Sequence, residues 1–412
     1  MTDPARQPVV AGVYTTAMSR RSGRSGLSHA LEALKGALDD AGMQLSDVQG
    51  LYPMVNQWPA GPASSNWYLH FSNWAGQLGI PIRWFTGGVN AAATGAPAIL
   101  DAAAAIASGN IHTAAIVLGG AHPTRTDGRT AVWTRHGHEF TGWTGSYTAV
   151  QFALVARRHM LEYGTTPAQL AAPAAAIRSY GHVNPAAVMY GRGPVDVDTV
   201  LESRMVADPL RLLMCAQVND GGGALIVTSA ERARDLPDPA IRILGGADQL
   251  CYPAYAEAPL LEHPLGGPFP TGWVDDGFAR AGVRREDLDF LSLYDGFAIW
   301  ILTQLEMLGL CGAGEAGPFV ESGALELDGR YPTCTDGGCM SFSHNGTPSL
   351  FRPIEAVRQL RGEVIDDCPD SESGVHTYDK TLCRRVRDPK IGLAMSMGPP
   401  TGGGNFVILA RD

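Results

Sequence analysis

Charge is scarce in this chain, and it leans negative. Only 17% of the 412 residues are charged, and the formal net charge is −10. Nothing in the sequence resembles a basic face, which argues against nucleic acid as a partner. Long apolar runs are also missing. None reaches the length needed to cross a bilayer, and the opening MTDPARQPVVAGVYTT has no signal-peptide core. A soluble, cytoplasmic protein with no membrane span is expected. Paired cysteine motifs are absent. The seven cysteines are Cys215, Cys251, Cys311, Cys334, Cys339, Cys368 and Cys383. An odd number in so long a chain does not make a disulfide framework. Cys334 and Cys339 have no second cysteine or histidine pair at zinc spacing, so no metal is expected here.

What is present is apolar and alternating. Hydrophobic residues make up 45% of the chain, enough for a sizeable core in two domains or one large α/β unit. Strand and helix signals alternate, which favours layered α/β structure. VVAGVYTTAM (8–17) reads as a strand. LSHALEALKGALDDAGM (27–43) reads as a helix capped by Ser28. An alanine-rich helix (92–110) and the buried strand TAAIVLGGA (113–121) make a crossover between parallel strands. Segments 147–164 and 165–184 read as helices, the second broken near its prolines. A second cycle follows: helix, acidic turn and strand over 275–295, an apolar helix over 297–310, a helix over 347–362 and a strand hairpin over 390–412.

ALDDAGMQLSDVQGLYP in the first half and ARAGVRREDLDFLSLYD in the second follow one plan. Each runs helix, Ala-Gly, an aspartate-bearing turn, then a strand ending in tyrosine. The pattern reads as a diverged internal duplication. The halves are 1–240, carrying an inserted loop region at about 122–200, and 241–412.

From Asp287 to Glu363 the sequence closely resembles the C-terminal half of the sterol-carrier-protein (lipid-transfer-protein) type of thiolase. In that family a strand ends in His-Asp-Cys-Phe, and a Gly-His-Pro turn follows further on. The matching residues here are Tyr294-Asp295-Gly296-Phe297 and Ser343-His344-Asn345. DPLRLLMCAQVNDGGGALIVTS (208–229) and GPPTGGG (398–404) are similar to its central segment and last loop. The resemblance implies the thiolase fold, an α/β architecture of two duplicated βαβαβαββ halves in a five-layer αβαβα sandwich.

The departures concern the thiols. The family's nucleophile position matches Ala92, in the run Ala92-Ala93-Thr94-Gly95, and its second cysteine matches Gly296. An alanine cannot form a thioester, so the covalent thiolase route is closed. Thr94 reads as a helix-packing residue. A CoA slot and an enolate cradle suffice for a retro-aldol reaction, which needs only proton transfers. The altered site resembles the thiolase-like aldolases of bacterial steroid side-chain degradation. That resemblance implies an acyl-CoA retro-aldolase. It would cleave a β-hydroxyacyl-CoA to a ketone or aldehyde and a short acyl-CoA such as propionyl-CoA or acetyl-CoA.

By the same resemblance Tyr294 transfers a proton, and His344 is a second acid/base or a donor to the thioester oxygen. Asp295 fixes its loop. Asp336 either orients His344 or accepts backbone N–H groups. Asn345 orients His344, and Gly338 and Gly403 let backbone approach the thioester, as Gly337 and Gly402 would. Two alternatives stay open: an acyltransferase or hydrolase using another group, and a non-catalytic lipid- or CoA-binding scaffold. The implied assembly is a homodimer joined by a separate small protein with a zinc ribbon and an oligonucleotide-binding-type fold, two of each chain. No cofactor is implied in this chain: CoA belongs to the substrate and zinc to the partner. The aromatic loop at 56–76 reads as a substrate or dimer surface. The His136-x-His138 loop at 133–147 reads as a pocket cover or subunit contact.

Overall fold

A computed structural model describes residues 3–57, 71–87, 94–121, 148–250, 272–345, 348–364, 384–397 and 403–411. The first half runs β1 (Pro8–Thr15), α1 (Gly26–Asp40), β2 (Gly50–Gln57), α2 (Phe71–Leu78), β3 (Trp84–Phe85), α3 (Gly95–Ala107) and β4 (Thr113–Ala121). An insertion follows: α4 (Thr148–Tyr163), α5 (Pro167–Val183), α6 (Val197–Glu202) and the hairpin β5 (Met205–Ala207) and β6 (Leu210–Arg211). Then come β7 (Gly221–Ser229) and α7 (Ala230–Ala233). The second half runs β8 (Ile241–Leu250), α8 (Gly272–Ala281), β9 (Phe290–Ser292), α9 (Ala298–Met307), α10 (Ala316–Glu321), α11 (Phe351–Arg361), β10 (Ile391–Met397) and β11 (Gly403–Ala410).

The main sheet has the order β3-β2-β4-β7-β1-β8-β11-β10-β9, so the halves mirror each other about the β1–β8 contact. That contact spans only Val9–Arg242 and Val10–Ile241. Central strands read as unbroken apolar runs because both of their faces are covered. Alternate residues sort cleanly. On β4, Ala115 and Val117 enter one core while Ala114, Ile116 and Leu118 enter another. On β11, Val407 and Leu409 share that second core, and Phe406 and Ile408 enter a third. The middle core holds α3 and α11, both packed between the halves. Helix α1 covers the outer face of the first half. Helices α8, α9 and the inserted α4 and α5 cover the second. The result is the five-layer thiolase sandwich.

Local details differ from expectation. Ser25, not Ser28, caps α1: the Ser28 N–H donates to Ser25 Oγ at 3.1 Å. Helix α5 is not broken by its prolines. Pro173 lies inside it and is buried, and a Thr166–Gln169 capping box fixes its start. Burial of nearly the whole helix compensates for the missing N–H of Pro173.

The duplication has a definite register. The turns in which the Gln44 and Arg284 N–H groups donate to Asp47 Oδ2 and Asp287 Oδ2 are equivalent. So are the left-handed Gly42 and Gly282, and Leu51 and Leu291, whose carbonyls accept from Thr86 and Cys334. The spacing of these pairs matches Tyr294 with Met54 and Tyr52 with Ser292. The tyrosine-for-tyrosine match expected from sequence is therefore off by two positions.

Candidate active site

Tyr294 is presented by a strand that stops early. Strand β9 pairs with β10 only through Phe290, Leu291 and Ser292. Beyond it, side chains take over the role of a neighbouring strand. Gln304 on α9 accepts from the Tyr294 N–H at 3.2 Å and donates to the Tyr294 carbonyl at 2.6 Å. The Tyr294 ring is buried edge-on to Trp300, with centroids 4.6 Å apart. Its Oη lies 2.9 Å from His344 Nε2. The two leading sequence candidates, 50 residues apart, thus form one hydrogen-bonded pair.

His344 follows a π-helical turn, Gly338–Phe342. The Asp295 carboxylate accepts from the Cys339 and Met340 N–H groups at 2.6 and 3.0 Å. So the residue next to Tyr294 holds the turn that leads to His344. Gly338 has φ +59°, and a Cβ there would stand 2.0 Å from Asp295 Oδ2. Its N–H donates to Asp336 Oδ1 at 2.8 Å. Arg352 lies buried between the carboxylates, 2.9 Å from Asp336 and 3.6 Å from Asp295. Burial pushes the Asp336 carboxyl up to about 6, against the pull of Arg352. The His344 N–H donates to Asn219 Oδ1 at 2.7 Å, and Asn219 Nδ2 donates to Ser343 Oγ at 3.0 Å.

These contacts revise several expected roles. Asp336 pairs with Arg352 and accepts from the Gly338 N–H, the second of its two expected roles. Asn345 donates to the Gly221 carbonyl at 2.8 Å, and the His344 backbone is held by Asn219 instead. Gly338 makes room for Asp295, and its committed N–H does not fit a thioester donor. Gly337, with φ +101°, precedes the π-helical turn. Gly403 opens β11 opposite Leu250, while Gly402 lies outside the described residues. Asn219 and Arg352 were missed. The signal for Asn219 was its place in Val-Asn-Asp-Gly-Gly-Gly, a polar pair at the mouth of a strand buried along its length.

The vacated thiol position is filled. A Cβ on Gly296 would stand 2.5 Å from Trp300 Cζ3 and 2.9 Å from Tyr294 Cε1. Ala92 and Ala93 lie outside the described residues, as do His136, His138 and most of the aromatic loop at 56–76. Thr94 is buried at the start of α3, as packing requires. The next two N–H groups donate to Ser349 Oγ and Ser396 Oγ at 3.0 and 2.6 Å. None of the four described cysteines is activated. Burial pushes Cys215 and Cys311 up to about 12. Cys334 and Cys339 are raised well above the thiol range by burial, reinforced by the Asp295 charge.

A duplicated five-layer sandwich with its first-motif thiol replaced, and a tyrosine–histidine pair beside the gap, defines a thiolase-fold protein not built for thiol chemistry there. The model of the thiolase C-terminal domain-like family matches residues 274–377. A steroid side-chain-cleaving aldolase of Thermomonospora curvata is 33% identical, over 88% of this chain and 92% of that protein. A Mycobacterium tuberculosis protein, 17-hydroxy-3-oxo-4-pregnene-20-carboxyl-CoA lyase, is 35% identical, over 87% and 93%. The solved Ltp2-ChsH2(DUF35) aldolase matches with a TM-score of 0.79 at 29% identity, covering 100% of this chain and 99% of that one. The chain belongs to the thiolase superfamily, in the branch of the side-chain-cleaving aldolases.

Proposed function

We propose that this protein is an acyl-CoA retro-aldolase acting on a β-hydroxyacyl-CoA with a steroid-like side chain. The hydrogen-bonded Tyr294–His344 pair, set beside a thiol position filled by Trp300, carries the reading. One member of the pair takes the proton of the β-hydroxyl. The Cα–Cβ bond breaks, its electrons pass to the thioester oxygen as an enolate, and the hydroxyl carbon leaves as a ketone or aldehyde. Cα then takes a proton from the pair, giving the shortened acyl-CoA. No bond to the enzyme forms. The 2.9 Å contact lets one proton pass along the pair, so the site returns to its starting state each turnover. Asp295 and Arg352 hold the turn, Asn219 holds the His344 backbone, and the reading assigns the thioester contact to the Gly403 backbone.

We assign the protein to the cytoplasm, as a homodimer completed by a small zinc-ribbon subunit. The match to the solved two-protein aldolase supports a separate partner. The test is incubation of the chain, with and without its partner, with the CoA thioester named for the M. tuberculosis relative. Release of a ketosteroid and propionyl-CoA, with no mass added to the protein, is expected. A stable acyl-enzyme, or no cleavage by the completed complex, overturns the reading.

A further inference from the structure

The sequence has no basic face, yet the fold brings the Arg20-Arg21 loop to the segment that carries Arg192. Arg20 and Arg21 lie on the loop Ser19-Arg20-Arg21-Ser22-Gly23-Arg24 that follows β1, and Arg192 lies in the insertion between α5 and α6. All three are exposed. Arg24, on the same loop, pairs with Glu32, and Arg232, Arg284 and Arg285 pair with Asp47, Asp287 and Asp275, whereas the exposed Arg83, Arg204, Arg234 and Arg387 have no ion pair among the described residues. Among the described residues Arg20, Arg21 and Arg192 make no ion pair. Arg20 Nη2 donates to Met189 Sδ at 3.5 Å. Arg20 and the Arg192 backbone thus both meet Met189, and Arg21 follows Arg20 in the chain.

That spot flanks the candidate site. The Asp220 N–H donates to the Ser19 carbonyl at 2.7 Å and the Ser19 N–H to the Asp220 carbonyl at 3.1 Å. Asp220 Oδ2 also accepts from the Ser22 N–H and hydroxyl, at 2.8 and 2.9 Å. Asp220 follows Asn219, which holds His344, and Val218 bridges to His344 directly. From the other side, Met189 and Val188 donate to Ser341 and Phe342 on the turn leading to His344, and Arg192 donates to the Met189 carbonyl. Two ladder crossings of about 4.8 Å and two strand steps of about 3.3 Å separate Ser19 from His344. An extended pantetheine arm covers that span. Val218, 58% exposed, lies between the two ends and offers the arm an apolar contact.

We infer that Arg20, Arg21 and Arg192 seat the phosphates of the nucleotide end of the CoA thioester, with the pantetheine arm running past Val218 to the Tyr294–His344 pair. Three guanidinium groups face a ligand end that carries a diphosphate and a 3′-phosphate. Guanidinium forks bind phosphate oxygens in charge-assisted pairs. The Asp220 tether fixes the loop before the ligand arrives, so little order is lost on binding. The position of this seat rests on the proposed function, but its phosphate recognition does not.

The test therefore separates the two. Binding of adenosine 3′,5′-bisphosphate to the resting full-length protein is measured by equilibrium dialysis, for wild type and for Arg20→Ala/Arg21→Ala/Arg192→Ala. A loss of at least about tenfold in affinity, equivalent to about 1.4 kcal/mol, is expected. The variant should also raise KM for the acyl-CoA by a similar factor with kcat nearly unchanged. The same acyl group on pantetheine, lacking the nucleotide, should be cleaved equally by both proteins. Equal nucleotide binding by wild type and variant overturns the inference. So does an equal loss with the pantetheine substrate, or loss of the partner subunit with nucleotide binding intact, which would make the patch a protein-docking surface. If no β-hydroxyacyl-CoA is ever cleaved but nucleotide binding falls in the variant, the phosphate seat stands and the aldolase reading falls. An Arg20→Lys/Arg21→Lys/Arg192→Lys variant with intermediate affinity and wild-type melting separates lost charge from lost fold.

Discussion

The two halves of the molecule share one frame and use it differently. In the first, β2 runs eight residues beside β4, from Gly50 to Gln57. In the second, the equivalent β9 stops after three, at Ser292. The third strand shows the same reduction: Trp84 and Phe85 form a short ladder in the first half, and a single Leu291–Thr333 bridge remains in the second. A strand that continues aims alternate side chains into the packed layers on either side. A strand that stops frees its next residues to leave the layers. Tyr294 occupies the place where Met54 sits inside a strand, and reaches across to His344. Gln304 makes this stable by bonding both backbone groups of Tyr294. A site arises here by ending a regular element early and replacing its ladder with side chains.

The sharpest way to break this comparison is a matched pair of substitutions. Tyr294→Phe should lower kcat by about 10²–10⁴, the usual worth of a positioned proton carrier. Tyr52→Phe, in the ordinary half, should stay within about twofold of wild type. Equal effects from both would remove Tyr294 from the chemistry.

Next in size is the buried cation. Arg352→Met leaves the Asp295 and Asp336 carboxylates without their counter-charge, and should cost about 3–5 kcal/mol of stability in urea unfolding. Activity should fall further than unfolding alone explains, because Asp295 holds the His344 turn.

The same cluster has a pH signature. The Asp336 carboxyl is raised from 3.8 to about 6, so the folded state binds its proton more tightly than the unfolded state. Its contribution to stability is full below about pH 4 and is lost as pH rises through about 6. Asp336→Asn should flatten that segment of the stability–pH curve, as read by melting across pH 4–7. A slope unchanged in the variant would assign the titration elsewhere.

A smaller effect is expected from Gly296→Cys. Its Cβ must displace Trp300 or Tyr294, costing about 1–3 kcal/mol, and thiolase activity should not appear. Thioester formation on that cysteine would show that the gap is not truly filled. Smallest is Ser25→Ala at the start of α1, about 1 kcal/mol by thermal melting with kcat unchanged. Ser28→Ala should cost less, because Ser28 supplies only its N–H to this cap.

Much of this was legible in one dimension. Periodicity marks the strands and helices, because burial on one face or on both leaves a repeat of 3.6 or 2 in the chain. Tyr294, Gly296 and His344 stood out because a familiar motif carried unexpected residues. The register of the duplication was not legible. Two tyrosines near the ends of two strands look equivalent as letters, and only the hydrogen-bond partners of Leu51 and Leu291 show that they are not.

Composition and pattern by themselves determined the layered fold and the duplicated plan, since each depends on residue type and local spacing, while the loss of the thiol route was legible only through the resemblance to the thiolase motifs. Tertiary structure alone decided which polar groups meet. Asn219 reaches His344 across 125 positions, Arg352 sits between Asp295 and Asp336, and Arg192 is brought to the edge where Arg20 and Arg21 emerge. Hydrogen bonds and ion pairs act over a few ångströms of space, and distance along the chain carries no record of them until the sheet is formed.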